Sequence, residues 1–305
     1  MTRTAAGPGR LGGGPQGRRL TFLPRGVLLR HNVGGVIGGA VLAIVVLCAV
    51  FAPLIAPHDP LAQSLADVGR PPAWMSGGDW NHVLGTDQLG RDLLSRVIYG
   101  ARISMIVGLG TVVLQTVLGV LAGLYAGYFG GWLDSLLMRF ADVWLSIPFL
   151  VLALAVMAVL GAGLTNTVLV LGLTGWVTYA RVVRGEVLSV REREYVLAAE
   201  SLGERPVRSM VTHVLPNVTG SIIVVATLQV SHMIIIEASL SFLGLGVQPP
   251  QPSWGSMIAQ GRDYLYNQWW LSTMPGLALL VTTLGINLLG DSLRDVLDPS
   301  LRGRS

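Results

Sequence analysis

Long stretches of this chain contain no Asp, Glu or Arg, and they limit its possible folds more than any other feature. A helix needs about 20 apolar residues to cross a hydrocarbon core of roughly 30 Å, so each stretch is a candidate membrane span. The chain is 51% hydrophobic and 12% charged, whereas an average soluble domain is about 25% charged. The pattern excludes an ordinary soluble globule and predicts an all-α membrane protein.

The charge-free stretches predict six transmembrane helices. The 38 residues between Asp142 and Arg181 would reach about 57 Å as one helix, which is too long for a single crossing. We therefore place a turn at 161–166, where two glycines and an asparagine occur. Glycines and prolines interrupt the apolar segment 238–261, so we expect an external loop there. The predicted spans are 33–52, 103–126, 143–160, 167–181, 218–240 and 271–290.

The distribution of arginines predicts the orientation of these spans. With the N-terminus inside, sixteen of the 21 basic residues fall on the inner side and five on the outer side. Short cytoplasmic loops carry the excess of positive charge in membrane proteins. Both termini are therefore predicted to be cytoplasmic.

Several function classes are excluded by residue counts and motifs. The chain has no lysine, so it cannot supply the lysine of a P-loop or of a Schiff base. Its single cysteine, Cys48, cannot form a disulfide or a cysteine-ligated zinc site within one chain. No HExxH motif or nucleophile elbow occurs, and the arginines lie between apolar runs. We expect no enzyme activity, no metal site and no nucleic-acid partner.

The predicted cytoplasmic loop 186–216 combines charge with helical periodicity. Tyr195, Ala198, Ala199 and Leu202 recur with helical spacing and give one narrow apolar face. Gly203 suits a helix stop, and a second helical turn is predicted from Pro206 to the residue before Pro216. Such a helix serves equally as a docking surface for a cytoplasmic partner or as a helix lying on the membrane.

Polar residues within the predicted spans are candidates for a gate or a pathway. Glu237 lies deep in an apolar run, where it serves either as a structural carboxylate near the outer interface or as a gate. His232 is about 140° away around the same helix, so the two do not form a same-face pair. Gln115, Gln229 and Asn287 line a polar pathway or join neighbouring helices, and the sequence does not separate these roles.

Several segments carry a family resemblance. Ala198-Ala199, then Gly203, then His213-Val214-Leu215-Pro216 resembles the EAA loop of ATP-binding-cassette (ABC) importer permeases, with Leu197 where the motif has Glu. The segments 84–92, 127–134, 237–246 and 290–299 resemble dipeptide and oligopeptide importers. The chain is similar to the second, C-type permease of those systems, a group that includes nickel importers.

The resemblance implies a type I ABC importer transmembrane domain with a cytoplasmic coupling helix, in a bacterial inner membrane. It implies a heterodimer with a second permease, two ATPase subunits or one fused ATPase that bind ATP and Mg²⁺, and an external binding protein. This chain itself would bind no cofactor. The implied docking residues are Glu194, Tyr195, Ala198, Ala199, Leu202, Gly203 and Pro216. The implied cargo is short peptides; the alternatives are nickel or another small ligand, and an ATP-independent secondary transporter.

We expect the chain to divide into four parts. Residues 1–30 are expected to be a disordered cytoplasmic arm, and 31–100 to hold the first span and an external elbow. Residues 101–290 form a five-helix core, followed by a cytoplasmic tail at 291–305. Asp87 and Arg91, before an amphipathic stretch at 93–98, and Trp254 belong either to a surface elbow or to a contact with the binding protein.

Overall fold

The computed structural model describes residues 33–297, in which helices are the main elements and no strand occurs. The segment 56–92 is mostly turns and loop, with a short 3₁₀-helix at Leu65–Asp67 and one isolated bridge between Thr86 and Asp92. The expected arm at 1–30 and the tail from 298 onward lie outside the described residues. In chain order the α-helices are α1 Val33–Val50, α2 Ala52–Ile55, α3 Leu93–Phe129, α4 Gly131–Leu145, α5 Phe149–Leu160, α6 Leu164–Arg191, α7 Glu194–Ser201, α8 Pro206–Ser209, α9 Leu215–Phe242, α10 Trp254–Gly261 and α11 Trp270–Leu297.

Four helical segments are long and apolar enough to cross a membrane: Val33–Val50, Leu93–Phe129, Pro206–Phe242 and Trp270–Leu297. A fifth crossing results if α4 and α5 together form one broken span. Helix α6 covers the predicted fourth span but is not among these segments. The membrane class and the all-α fold are thus established, and the number six stays a prediction.

Helix α3 is longer than the predicted second span, because it begins at Leu93 and not at residue 103. The Asp92 carboxylate caps its first turn by accepting a hydrogen bond of 2.8 Å from the Ser95 amide. The amphipathic stretch at 93–98 is therefore the start of this helix. The helix continues through Gly100. A side chain at this position would collide with Trp254, which explains why the residue is a glycine.

The predicted third span, 143–160, is not one straight helix. Helices α4 and α5 meet at an angle of 86°, and Pro148 stands directly before α5. Proline lacks an amide proton and disfavours helical geometry in the residue before it, which explains the break. The predicted turn after this span is confirmed, since Gly161 and Gly163 adopt positive φ angles between α5 and α6.

A stripe of glycines joins α3 to α6. Gly119, Gly123 and Gly127 recur every fourth residue and therefore share one face of α3. A Cβ atom on Gly123 would lie 2.6 Å from the Ala180 carbonyl oxygen, and one on Gly127 would lie 2.8 Å from Cβ of Val187. The two backbones touch here, as is usual where small residues line a contact between membrane helices.

The segment 238–261, predicted to be an external loop, contains the short helix α10. Its start is fixed by a capping box in which Ser253 and Ser256 satisfy each other's backbone amides. Trp254 is 2% exposed and donates a 3.0 Å hydrogen bond from Nε1 to the Val97 carbonyl oxygen. The tryptophan thereby attaches α10 to the beginning of α3.

Candidate functional site

The segment that is predicted to be the coupling helix is helical and forms α7, Glu194–Ser201. Glu194 lies in its first turn, where a carboxylate interacts favourably with the helix dipole. Gly203 ends the helix with a φ of +85°, and the amides of Gly203 and Glu204 donate to the carbonyls of Glu200 and Ala199. This is the left-handed stop that the sequence predicts.

One face of α7 is apolar and exposed. The side chains of Leu202 and Tyr195 are 89% and 43% exposed, and Ala198 between them is exposed as well. Ala199, at the edge of this face, is half-buried. We call Tyr195, Ala198 and Leu202 the exposed face of α7.

The opposite side of α7 is held against the helix bundle. Val196 is fully buried in a cluster that includes Leu124 and Tyr128 of α3 and Val183 of α6. Tyr128 donates a hydrogen bond of 2.6 Å from its hydroxyl to Glu200 Oε1.

A further residue fixes the approach to α7. Arg191, at the end of α6, donates from Nη1 to the carbonyl oxygens of Gly127 and Tyr128 at 3.2 and 2.9 Å. Sequence reasoning missed Arg191, Val196 and Tyr128 as attachment points. The four-residue spacing of Val196 and Glu200 is the signal for a second, inward face.

The second arm of the loop differs from the prediction at Pro216. Helix α8 continues through a π-helical turn, Met210–Val214, directly into α9, so Pro216 lies in the first turn of α9 and does not end a helix. In the π turn the Leu215 amide donates to the Met210 carbonyl. Proline is tolerated in a first helical turn, where its missing donor is not needed.

Ion pairs close the turn between the two arms. His213 Nε2 lies 2.9 Å from Glu204 Oε2, and Arg208 Nε lies 3.3 Å from Glu204 Oε1. The Tyr195 ring meets the His213 ring edge-on, with 6.4 Å between centroids. The loop is thus a compact projection whose turn is closed by its own side chains.

Two of the candidate pathway residues join helices. Gln115 is fully buried, and its Nε2 donates to the Leu171 carbonyl oxygen at 2.9 Å and to Met233 Sδ at 3.1 Å. Asn287 Oδ1 accepts a 2.6 Å hydrogen bond from Ser231 Oγ. These contacts link α3 to α6 and α9, and α9 to α11, which is the packing role left open by the sequence.

The remaining pathway candidates lie on α9 in different environments. Glu237 is fully buried, and its Oε1 accepts a 2.7 Å hydrogen bond from Ser241 Oγ. Ser241 Oγ in turn accepts from the Val247 amide at 3.2 Å, which ties the carboxylate to the following loop. His232 is exposed and Gln229 is half-buried. The structure therefore gives Glu237 a structural setting and does not bring it together with His232.

The proposed contacts with a binding protein are not at the surface. Asp87, Arg91 and Trp254 are 4%, 9% and 2% exposed. Arg91 Nε donates to Asp87 Oδ2 at 2.7 Å, and Arg96 Nη1 approaches the same oxygen at 3.3 Å. The expectation that these side chains are exposed was wrong, because the charges satisfy each other inside the elbow and the indole fills the joint with α3.

Comparisons with known proteins agree with this architecture. Residues 119–303 match the family model of the binding-protein-dependent transport system inner membrane component. Residues 28–72 match the N-terminal transmembrane domain of oligopeptide transport permease C.

Among solved structures, the chain is similar to the MetNI methionine ABC transporter in an inward-facing conformation. The TM-score is 0.56 at 18% identity, and the match covers 67% of this chain and 96% of that one. At this identity the likeness shows the fold alone, which is that of a type I ABC importer transmembrane domain.

Curated relatives share most of their length with this chain. The di/tripeptide transport system permease protein DppC of Pseudomonas aeruginosa is 46% identical over 89% of this chain and 90% of its own. The dipeptide transport system permease protein DppC of Escherichia coli K12 is 44% identical over 90% and 91%. The oligopeptide transport system permease protein OppC of Bacillus subtilis is 39% identical over 90% and 88%. The chain belongs to the binding-protein-dependent transport system inner membrane components, the multi-pass permease subunits of ABC importers, and is a transport component rather than an enzyme.

Proposed function

We propose that this chain is the C-type permease of an importer for dipeptides and oligopeptides. In this proposal it pairs with a second, homologous permease to form the translocation pathway, and an external binding protein delivers the peptide. The names of the relatives, all transport system permeases for short peptides, support the cargo.

The exposed face of α7 is the observation that carries the mechanism. Tyr195, Ala198 and Leu202 form a contiguous exposed apolar patch on a helix whose other side is fixed to the bundle, and such patches are typical of contacts with a partner. The proposed partner is a cytoplasmic ATPase subunit, with α7 as the coupling helix. Gly203 and Glu194 bound this surface, and Pro216 starts the helix that leads away from it.

The attachments of α7 provide a route for the motion. When the ATPases close, α7 is displaced, and the Tyr128–Glu200 bond and Arg191 carry the displacement into α3 and α6. Because the backbones of α3 and α6 are in contact along the glycine stripe, the two helices move together. The pathway between the two permeases then opens toward the external face. Gln229 and His232 of α9 are our candidates to line it.

This mechanism requires both termini and α7 on the cytoplasmic side of a bacterial inner membrane, as the arginine distribution predicts. ATP and Mg²⁺ would be bound by the ATPase partners, separate or fused, and no cofactor by this chain. The absence of lysine supports this division, since a P-loop needs one.

The test is a tagged purification followed by transport. The chain is expressed in its native membrane, isolated with its partners in mild detergent, and reconstituted with its binding protein. We expect a second permease and P-loop ATPases to co-purify, and labelled dipeptide uptake to require ATP. Uptake of nickel or of another small ligand in place of peptides would contradict the cargo. Isolation of the chain alone, active without ATP, would contradict the ATPase partners.

A further inference from the structure

The elbow between α2 and α3 brings together three side chains that are distant in sequence. His82 Nδ1 lies 3.0 Å from Asp92 Oδ1, and His58 Nδ1 lies 3.8 Å from Asp92 Oδ2. The two imidazole rings are tilted by 31° with 4.8 Å between their centroids. One ligand atom from each residue lies within 4.8 Å of the others.

Other contacts hold this cluster in place. Asp92 Oδ2 accepts from the Ser95 amide at 2.8 Å and from Ser95 Oγ at 2.7 Å. The His58 amide donates to Ser95 Oγ at 3.0 Å, so the backbone that carries this histidine is fastened to the start of α3. The carboxylate therefore keeps its position even if its contacts with the imidazoles change.

The charge of Asp92 has no arginine to balance it within the described residues. Its side chain is 1% exposed, and both neighbouring arginines, Arg91 and Arg96, pair with Asp87. A buried carboxylate is costly unless a positive partner is close. Histidines supply that charge only when protonated, whereas a divalent cation supplies it with neutral imidazoles.

We propose that His58, His82 and Asp92 bind a divalent transition-metal ion with the preferences of Zn²⁺. Two imidazole nitrogens and a carboxylate oxygen are a donor set that zinc takes at about 2.0–2.2 Å, with a fourth position left for water. Neighbouring ligand atoms around such an ion are about 3.3 Å apart, so the cluster has to contract. His58 is 40% exposed, which leaves its ring room to turn inward.

The ion would fasten the elbow to the first turn of α3. The site lies at the opposite end of this 37-residue helix from Tyr128, about 55 Å from the coupling loop. The proposal is therefore independent of the cargo and of the ATPase contact. It also replaces the expectation of no metal, which was drawn from local motifs that positions 58, 82 and 92 do not form.

The test is calorimetric titration with Zn²⁺ alone. The full chain is purified with its co-expressed partners, stripped with a chelator, and compared with His58→Gln, His82→Gln and Asp59→Asn. His58→Gln is the informative variant, because the backbone bond to Ser95 is kept and the side chain is partly exposed. Asp59→Asn is the matched control: it removes an adjacent exposed charge but keeps the oxygen that accepts from the Leu61 amide.

We expect one more Zn²⁺ per complex in the wild type than in His58→Gln, with affinity at this site lowered at least tenfold in both histidine variants. Asp59→Asn should bind like the wild type. Zinc held by partner subunits would remain in all variants and cancels from the comparison. Equal binding by wild type and His58→Gln, or no saturable binding by the wild type, would overturn the proposal and leave a His–Asp hydrogen-bonded pair.

Discussion

The hydroxyl of Tyr128 and the carboxylate of Glu200 lie 2.6 Å apart and join the end of α3 to α7. Tyr128 lies in the last turn of the 37-residue helix α3, and Glu200 belongs to the helix that carries the exposed face. In the proposed mechanism, a displacement of α7 reaches α3 through this bond.

Removal of that hydroxyl should weaken transmission without preventing assembly. Tyr128→Phe deletes a hydrogen bond to a charged group, worth about 1.5–3 kcal/mol, and leaves the ring in its cluster. We expect the ATPases to co-purify as before, and the number of peptides imported per ATP hydrolysed to fall several-fold. Tyr125→Phe, one turn earlier and partly exposed, is the control and should keep the wild-type ratio. An unchanged ratio in Tyr128→Phe would show that motion does not pass through this bond.

The exposed face of α7 should be specific for ATPase binding. Leu202→Glu places a charge on the most exposed side chain of this face and should abolish co-purification of the ATPases while the chain remains in the membrane. Leu197→Glu is the matched control, because Leu197 is 50% exposed but lies about 140° around the helix from Leu202. Equal loss of ATPase in both variants would contradict a face-specific contact.

The stripe of glycines between α3 and α6 should not tolerate a side chain. Gly123→Ala places a methyl group where the Ala180 carbonyl already lies, and such overpacking costs about 1–3 kcal/mol. We expect the melting temperature of the purified complex to fall by several degrees. Gly276→Ala, in α11 with no neighbouring atom in the way, should leave it unchanged or slightly raised. Equal melting temperatures would mean that the helices separate easily at Gly123.

The buried carboxylate of Glu237 should be structural. Glu237→Gln keeps an oxygen that accepts from Ser241, so we expect peptide uptake within about twofold of the wild type. Glu237→Leu removes the acceptor of the Ser241 hydroxyl proton in a buried site and should lower thermal stability. If Glu237→Gln abolished uptake in a complex of normal stability, the carboxylate would have to act as a gate or contact the substrate.

The sequence predicts what depends on local pattern. Charge-free runs predict the membrane class, and the periodicity from Tyr195 to Gly203 predicts helix α7 with its stop. The predictions of exposure were wrong where contacts between distant parts of the chain bury a side chain. Asp87 and Arg91 look like surface charges until the fold pairs them, and Trp254 looks exposed until α10 packs on α3.

The bends within helices and the contacts between helices could also not be predicted from local sequence patterns. Pro148 and Pro216 are both helix breakers by type, but only Pro148 stands at a sharp bend; Pro216 falls in a first turn, where its missing donor costs nothing. The stripe Gly119–Gly123–Gly127 is visible in the sequence, yet its partner helix is known only from the structure. The same holds for His58, His82 and Asp92.

The most direct test of the proposed coupling role of α7 is ATP-driven dipeptide uptake by the reconstituted importer carrying Gly203→Val. A β-branched residue is strained at the φ of +85° that ends α7, so the exposed face should lose its orientation. Gly185→Val is the matched control, since Gly185 is an exposed helical glycine that also has no atoms around it. We predict that Gly203→Val loses at least nine-tenths of its uptake while remaining in the membrane, and that Gly185→Val transports like the wild type. Wild-type uptake by Gly203→Val would contradict the assignment of α7 as the coupling helix.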